Sequence, residues 1–234
     1  MNGWHSLVEA LAYGYTSLFT RGIRAAGLEH VPPGPKIIIA NHPDVTAVAA
    51  LPRLFPDRLC YLAQADLFDL PVVGRLLRRA GHVPVVRGQP AQTFALAAER
   101  LAQGYAIALC PEGRISPAGS LARPHTGAVR LAQATGAPLV PVGVYVPPQN
   151  MLKVRFRLGG RQRLGYYQLG GHCYLHVGPA WHPPAGAAPA TALEARRSTD
   201  LVWARIAGLV EQARAAAEAE QARRLPAPTA SAGA

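Results

Sequence analysis

Three isoleucines, Ile37 to Ile39, lead into Ala40, Asn41 and His42. A β-branched run of this kind favours an extended strand, and Pro43 and the small residues after it read as the start of a helix. His42 therefore stands at a strand end. A neutral imidazole in such a place can take a proton near pH 7. Two other strand-like runs also end in polar groups. "VPVV" (83 to 86) delivers Arg87, and "YAIALC" (105 to 110) delivers Pro111, Glu112, Gly113, Arg114, Ile115 and Ser116. A fourth run, "APLVPVGVYV", is apolar throughout, with Pro141 near its centre. In open α/β sheets, sites gather where strands end and helices begin.

The elements that must position these groups alternate in type along the chain. Residues 4 to 26 read as an amphipathic helix, with Trp4, Leu7, Val8, Leu11, Tyr15, Leu18 and Phe19 at helical spacing and Arg21 and Arg24 near its end. Its Trp and Tyr would suit a water–lipid boundary. Strands are expected at 37 to 40, 57 to 64, 82 to 86, 105 to 110 and 137 to 146. Helices are expected within 70 to 81, over 91 to 103 and over 126 to 135, the last two ended by Gly104 and Gly136. "MLKVRFRL" (151 to 158) reads as an edge strand carrying Lys153, Arg155 and Arg157 on one face. The spacing makes "GGRQRLGYYQLGG" (159 to 171) a basic, glycine-rich loop and "HCYLHVG" (172 to 178) a returning strand. A long helix over about 191 to 224 completes the order. This rhythm predicts one α/β domain with a mostly parallel central sheet flanked by helices. The expected organisation is an N-terminal amphipathic segment (1–27), a main domain (28–224) and a disordered tail (225–234).

The four strand-end blocks, standing as "NHPDVTA", "GHVPVVRG", "CPEGRIS" and "PLVPVGV", resemble the glycerolipid acyltransferase family typified by bacterial 1-acylglycerol-3-phosphate acyltransferase. "ADLFDLPVVGRLLRRAG" resembles that family's segment between the first two blocks, and the likeness runs over about residues 28 to 182. The resemblance implies transfer of an acyl group from acyl-CoA or acyl carrier protein to a hydroxyl of a lysophospholipid such as 1-acylglycerol 3-phosphate. It makes His42 the general base, Arg87 and Arg114 ligands of the acceptor phosphate, and Glu112, Gly113 and Ser116 parts of the same substrate site. A guanidinium fork matches phosphate oxygens bidentately. An apolar channel for the acyl chain is expected from the segment around Leu67 to Leu77. No metal or other cofactor is implied.

The pattern departs from the family at one position above all. The family's aspartate, five residues after the histidine, is Ala47 here. In the resembling enzymes that carboxylate orients the imidazole and stabilises its protonated form, as in a serine-protease triad. Asp44 is the nearest replacement: either a helix N-cap or a catalytic partner of His42, with Glu112 or a backbone carbonyl as further options. The third block carries its arginine one place early, and Gln64 stands where the family often has a lysine. Two readings follow: an active O-acyltransferase, or a catalytically impaired member that binds lipid or carrier protein.

The formal charge of +11, carried by arginines apart from Lys36 and Lys153, suits an anionic partner. Basic clusters at Arg75, Arg78 and Arg79 and at Lys153 to Arg163 fit an anionic membrane surface, the phosphates of CoA or an acidic carrier protein. Nucleic acid is excluded as the partner, because no binding module or interleaved aromatic platform is visible. Three singly placed cysteines, Cys60, Cys110 and Cys173, predict a reduced protein. With no signal peptide and no apolar run of ~18 residues, the expected location is cytoplasmic, peripheral on the inner face of the membrane.

Overall fold

Ile37, Ile38 and Ile39 are all buried because their strand lies at the centre of a sheet covered on both faces. That is the situation in which a strand reads as a continuous apolar run instead of an alternating one. The computed structural model describes residues 3–116, 120–158, 161–184 and 191–224. Its seven-stranded sheet runs in the order β1 (Ile23–Ala26), β9 (Cys173–Val177), β6 (Leu139–Tyr145), β2 (Ile37–Ala40), β5 (Ala106–Leu109), β3 (Leu59–Gln64) and β4 (Val83–Val85). Strand β2 is parallel to both β5 and β6, and β3 is parallel to both β5 and β4. Only β9 runs antiparallel to its neighbour β6, with β1 parallel to β9 on the outer edge. The C-terminal ends of β2, β3, β4, β5 and β6 therefore share one edge, and His42, Gln64, Arg87 and Glu112 all follow strands that end there.

The two faces have separate cores. Ile37 and Ile39 point to the side covered by α5 (Pro90–Ala102), α6 (Gly127–Thr135) and α7 (Ala192–Arg224), where Ala97, Leu101, Val129, Leu131 and Ile206 are buried. Ile38 and Ala40 point to the side of α2 (Val45–Ala50), with Ala47, Ala50 and Phe55. Helix α7 lies directly on β6 because position 143 is glycine; a Cβ there would stand 2.3 Å from the Leu209 carbonyl carbon. Helix α1 (Gly3–Phe19) lies across α2, and Tyr15 Oη and Thr46 Oγ1 are 3.1 Å apart. Among the described residues, no helix is long and apolar enough to cross a membrane.

Three expectations need correction. The first helix stops at Phe19, not near residue 26: Gly22, at φ 116°, breaks it, and Ile23–Ala26 becomes β1 paired with β9. Residues 151 to 158 form β7 (Met151–Leu158), which does not join the main sheet. Within the supposed glycine-rich loop lies its partner, β8 (Arg161–Gln168), and the two make an antiparallel hairpin of their own. Its glycine is part of the design. Phe156 and Tyr167 close over Gly165, where a Cβ would meet their rings at 3.0 and 2.7 Å. The expected tail at 225–234 lies outside the described residues.

Candidate active site

The turn after β2 is built by side chains that behave as backbone. Asn41, buried at 1% exposure, donates from Nδ2 to the Val144 carbonyl at 2.8 Å, and its Oδ1 accepts from the Val144 amide at 2.7 Å. The side chain thus adds one rung to the β2–β6 ladder and fixes where the next residue begins. His42 is then held by its main chain from the turn after β5. Its amide donates to Glu112 Oε1 at 3.0 Å, and its carbonyl accepts from the Ser116 amide at 2.8 Å. The other oxygen of Glu112 accepts from the Ala122 amide at 2.8 Å. The carboxylate is buried and both its oxygens serve amides, which places Glu112 in the support of His42 and not beside Arg87 or Arg114. Ser116 acts through its backbone, while its hydroxyl is buried without a partner. Gly113 takes φ 63°, a value that favours glycine, and its carbonyl accepts from Gln64 Nε2 at 2.6 Å. Gln64 therefore ties the end of β3 to the same turn.

Replacing Glu112 by Ala should lower stability by about 1–3 kcal/mol in urea unfolding, because the amides of His42 and Ala122 lose their acceptor together. Glu112→Gln, which keeps one carbonyl acceptor, should lose less.

Asp44 is the N-cap of α2. Its backbone is extended, and its Oδ1 accepts from the Ala47 amide at 2.9 Å. The carboxylate is fully buried, and burial pushes its pKa up. It makes no hydrogen bond to the ring of His42, whose Nδ1 is buried and has no partner among the described residues. Burial also lowers the imidazole to a pKa of about 4, with the neighbouring Asp44 main chain a smaller opposing influence. The ring is therefore neutral at pH 7 and able to accept a proton. Thr46, behind this turn, is fully buried and anchors it twice, to Tyr15 and to the Gln168 amide of β8 at 3.1 Å.

Arg87 and Arg114 follow β4 and β5, both exposed and without a hydrogen bond or ion pair among the described residues. Their charge is unneutralised at the edge that carries His42. Cys110, below them, has its thiol pushed far up by burial and is inert as a nucleophile at neutral pH.

An open apolar groove of about 1250 Å³ begins at this turn. Cys110, Pro111 and Gly113 form its near end, and Val86, Phe94, Ala97, Ala128 and Leu131 continue it between α5 and α6. The Leu67–Leu77 segment contributes nothing to its walls. That segment folds instead as α3 (Ala65–Phe68) and α4 (Val73–Arg79), so closely joined that a Cβ on Gly74 would stand 1.9 Å from the Phe68 carbonyl oxygen. Neither Asn41 nor Thr46 was singled out from sequence as part of a site; Gln64 was noted only as replacing a lysine, and the acyl channel was expected at Leu67 to Leu77. Asn41 alone carried a signal, as an amide beside the histidine.

Comparisons with known proteins give the chain's family and its fold. A family model described as Acyltransferase matches residues 22–145, and the chain belongs to that family. Among curated proteins, it is 29% identical over 128 residues to the chloroplastic 1-acyl-sn-glycerol-3-phosphate acyltransferase of Arabidopsis thaliana, which covers 51% of this chain and 35% of that one. It is 25% identical over 171 residues to the 1-acyl-sn-glycerol-3-phosphate acyltransferase of Pseudomonas aeruginosa, covering 69% of this chain and 60% of that one. The matched regions thus span about a third to three-fifths of those relatives. The crystal structure of the 1-acyl-sn-glycerophosphate acyltransferase PlsC from Thermotoga maritima superposes with a TM-score of 0.63 over 95% of this chain and 81% of that one, at 20% identity. That likeness establishes the α/β fold.

Proposed function

We propose that this chain transfers an acyl group from a thioester donor to the free hydroxyl of a phosphorylated monoacylglycerol, with His42 as general base. One observation carries the reading. The parallel strands bring a neutral imidazole and two guanidinium groups, unpaired among the described residues, to the edge of the sheet where an apolar groove lined by Val86, Gly88 and Gly113 opens. Nε2 of His42 takes the acceptor's hydroxyl proton as that oxygen bonds to the thioester carbon. The tetrahedral intermediate collapses, the C–S bond breaks, and the imidazolium returns the proton to the departing thiolate. Arg87 and Arg114 hold the acceptor's phosphate. Asp44 positions His42 by capping α2, and takes no proton. The donor's acyl chain occupies the α5–α6 groove. Exposed Trp4, Leu7, Leu11, Leu18 and Phe19 on α1, with Val72 and Val73 at the start of α4, meet the anionic surface from which the acceptor comes.

The test is thiol release from a long-chain acyl-CoA or acyl carrier protein with 1-acylglycerol 3-phosphate as acceptor. Wild type should turn over. Arg87→Ala and Arg114→Ala should each raise the acceptor KM about ten- to a hundredfold, the value of a charged hydrogen bond, with the donor KM unmoved. An unchanged acceptor KM would remove the phosphate from this site. A second reading, a silent member that binds lipid without acylating it, is favoured by Ala47 and by the unpartnered Nδ1. It is selected if wild type is inert with both donors while still binding the acceptor.

A further inference from the structure

The product of this reaction carries two acyl chains, and the α5–α6 groove accounts for one. We infer that the second chain, that of the acceptor, lies on one face of the β7–β8 hairpin; the assignment rests on the acyl-transfer reading above.

Register decides which side chains share a face. Leu152 is opposite Tyr167, Val154 opposite Gly165 and Phe156 opposite Arg163, so these six form one face. Lys153, Arg155 and Arg157 alternate onto the other and are exposed. The first face is turned to the body at both ends. Near the root, the Gln168 amide of β8 donates to Thr46 Oγ1 of α2 at 3.1 Å, and Gly165 is buried on this face. Further out, Arg163 forms an ion pair with Asp66 of α3 at 2.8 Å. The hairpin leaves the strand end of β6 and reaches α3, the helix that follows β3, so it spans the sheet edge on the side of α2. Between its two anchored ends the face stays uncovered: Leu152 is 49% exposed, Val154 36% and Phe156 37%.

Continuity identifies the occupant. At the root of the hairpin the Gly170 amide donates to the Phe19 carbonyl at 2.7 Å, and Leu169, Leu18 and Phe19 are exposed there. Exposed apolar side chains thus run from the end of α1 onto the hairpin, whose root is tied to Thr46 of α2, the helix that follows His42. The donor groove lies on the opposite side of the sheet, under α5 and α6. The two chains consequently approach the reacting atoms from opposite faces and do not compete.

The test uses Leu152→Thr with Val154→Thr, which puts a strand-favouring β-branched side chain at both positions and leaves Phe156, Gly165 and the Arg163–Asp66 pair untouched. Two acceptors are compared, oleoyl-glycerol phosphate below its micelle concentration and hexanoyl-glycerol phosphate. The variant should raise KM, and the calorimetric Kd, for the oleoyl acceptor by about tenfold or more. Values for the hexanoyl acceptor, and binding to phosphatidylglycerol vesicles, should stay as in wild type. Equal losses with both acceptors, or none with either, would overturn the proposal. So would weakened vesicle binding with unchanged calorimetric Kd, which would make the hairpin a bilayer-docking face. If wild type transfers no acyl group to any acceptor, the acyl-transfer reading falls, and the oleoyl-against-hexanoyl Kd still decides the hairpin.

Discussion

His42→Ala should lower kcat by ~10²–10⁴-fold, the usual share of a positioned general base, and leave the acceptor KM nearly unchanged. The substitution removes no phosphate ligand, and the main chain at position 42 keeps its bonds to Glu112 and Ser116. Circular dichroism should therefore show a folded protein. A pH profile gives an independent reading of the same group. Burial lowers the imidazole to about 4, so its neutral, proton-accepting form predominates at every pH above that value. The profile of kcat/KM should accordingly stay flat from about pH 7 down to about pH 5 and fall only as pH approaches the lowered pKa. An acid limb near the ordinary histidine value of about 6.5 would show that the working base is a different, solvated group. Retention of full activity in His42→Ala would end the mechanism.

The strand ends were legible in the sequence because parallel strands buried on both faces are continuous apolar runs, and the residues after them are chemically conspicuous. His42, Arg87 and Glu112 could be found in this way. Asp44 could be found but not assigned, since capping a helix and orienting a ring both require a carboxylate at a helix start. The geometry resolves the choice: its Oδ1 is on the Ala47 amide. Glu112 could be found as part of the turn after β5, but its partners could not. Its partners here are amides from residues 42 and 122, contacts between distant positions that no local pattern encodes. The same holds for Gln64 and Thr46. The hairpin was missed for a different reason. The glycines at 159, 160 and 165 read as a loop, although Gly165 is the space in which Phe156 and Tyr167 meet. The groove is invisible in sequence because it is the gap between two helices, α5 and α6, each of which reads as ordinary.

Ala47→Asp carries the largest expected gain, and the argument turns on which nitrogen of His42 holds the proton. To accept from a substrate at Nε2, the neutral ring must carry its hydrogen on Nδ1. That nitrogen is buried without a partner among the described residues, and an unsatisfied buried donor costs about 1–3 kcal/mol. The alternative tautomer avoids this cost by leaving Nδ1 bare and placing the hydrogen on Nε2, where it blocks catalysis. The competent tautomer should therefore be a minority in the natural protein. An aspartate at position 47, in the first turn of α2, restores the acceptor that the family resemblance places there. Converted at 1.4 kcal/mol per factor of ten, recovery of the correct tautomer should raise kcat by about 5- to 150-fold. The added negative charge should also raise the pKa of His42 from about 4, moving the acid limb of kcat/KM upward, since an opposite charge favours the protonated ring. Stability should fall, because position 47 is only 2% exposed, in a cluster with Ala50 and Phe55, and desolvating a carboxylate is unfavourable. Ala47→Asn separates the two effects. Its amide oxygen can accept from Nδ1–H without a charge, so it should recover part of the rate while the acid limb stays near the wild-type position. A rise in pKa with no gain in kcat from Asp, and no gain from Asn, would show that the tautomer does not limit the reaction and that the missing carboxylate was never needed.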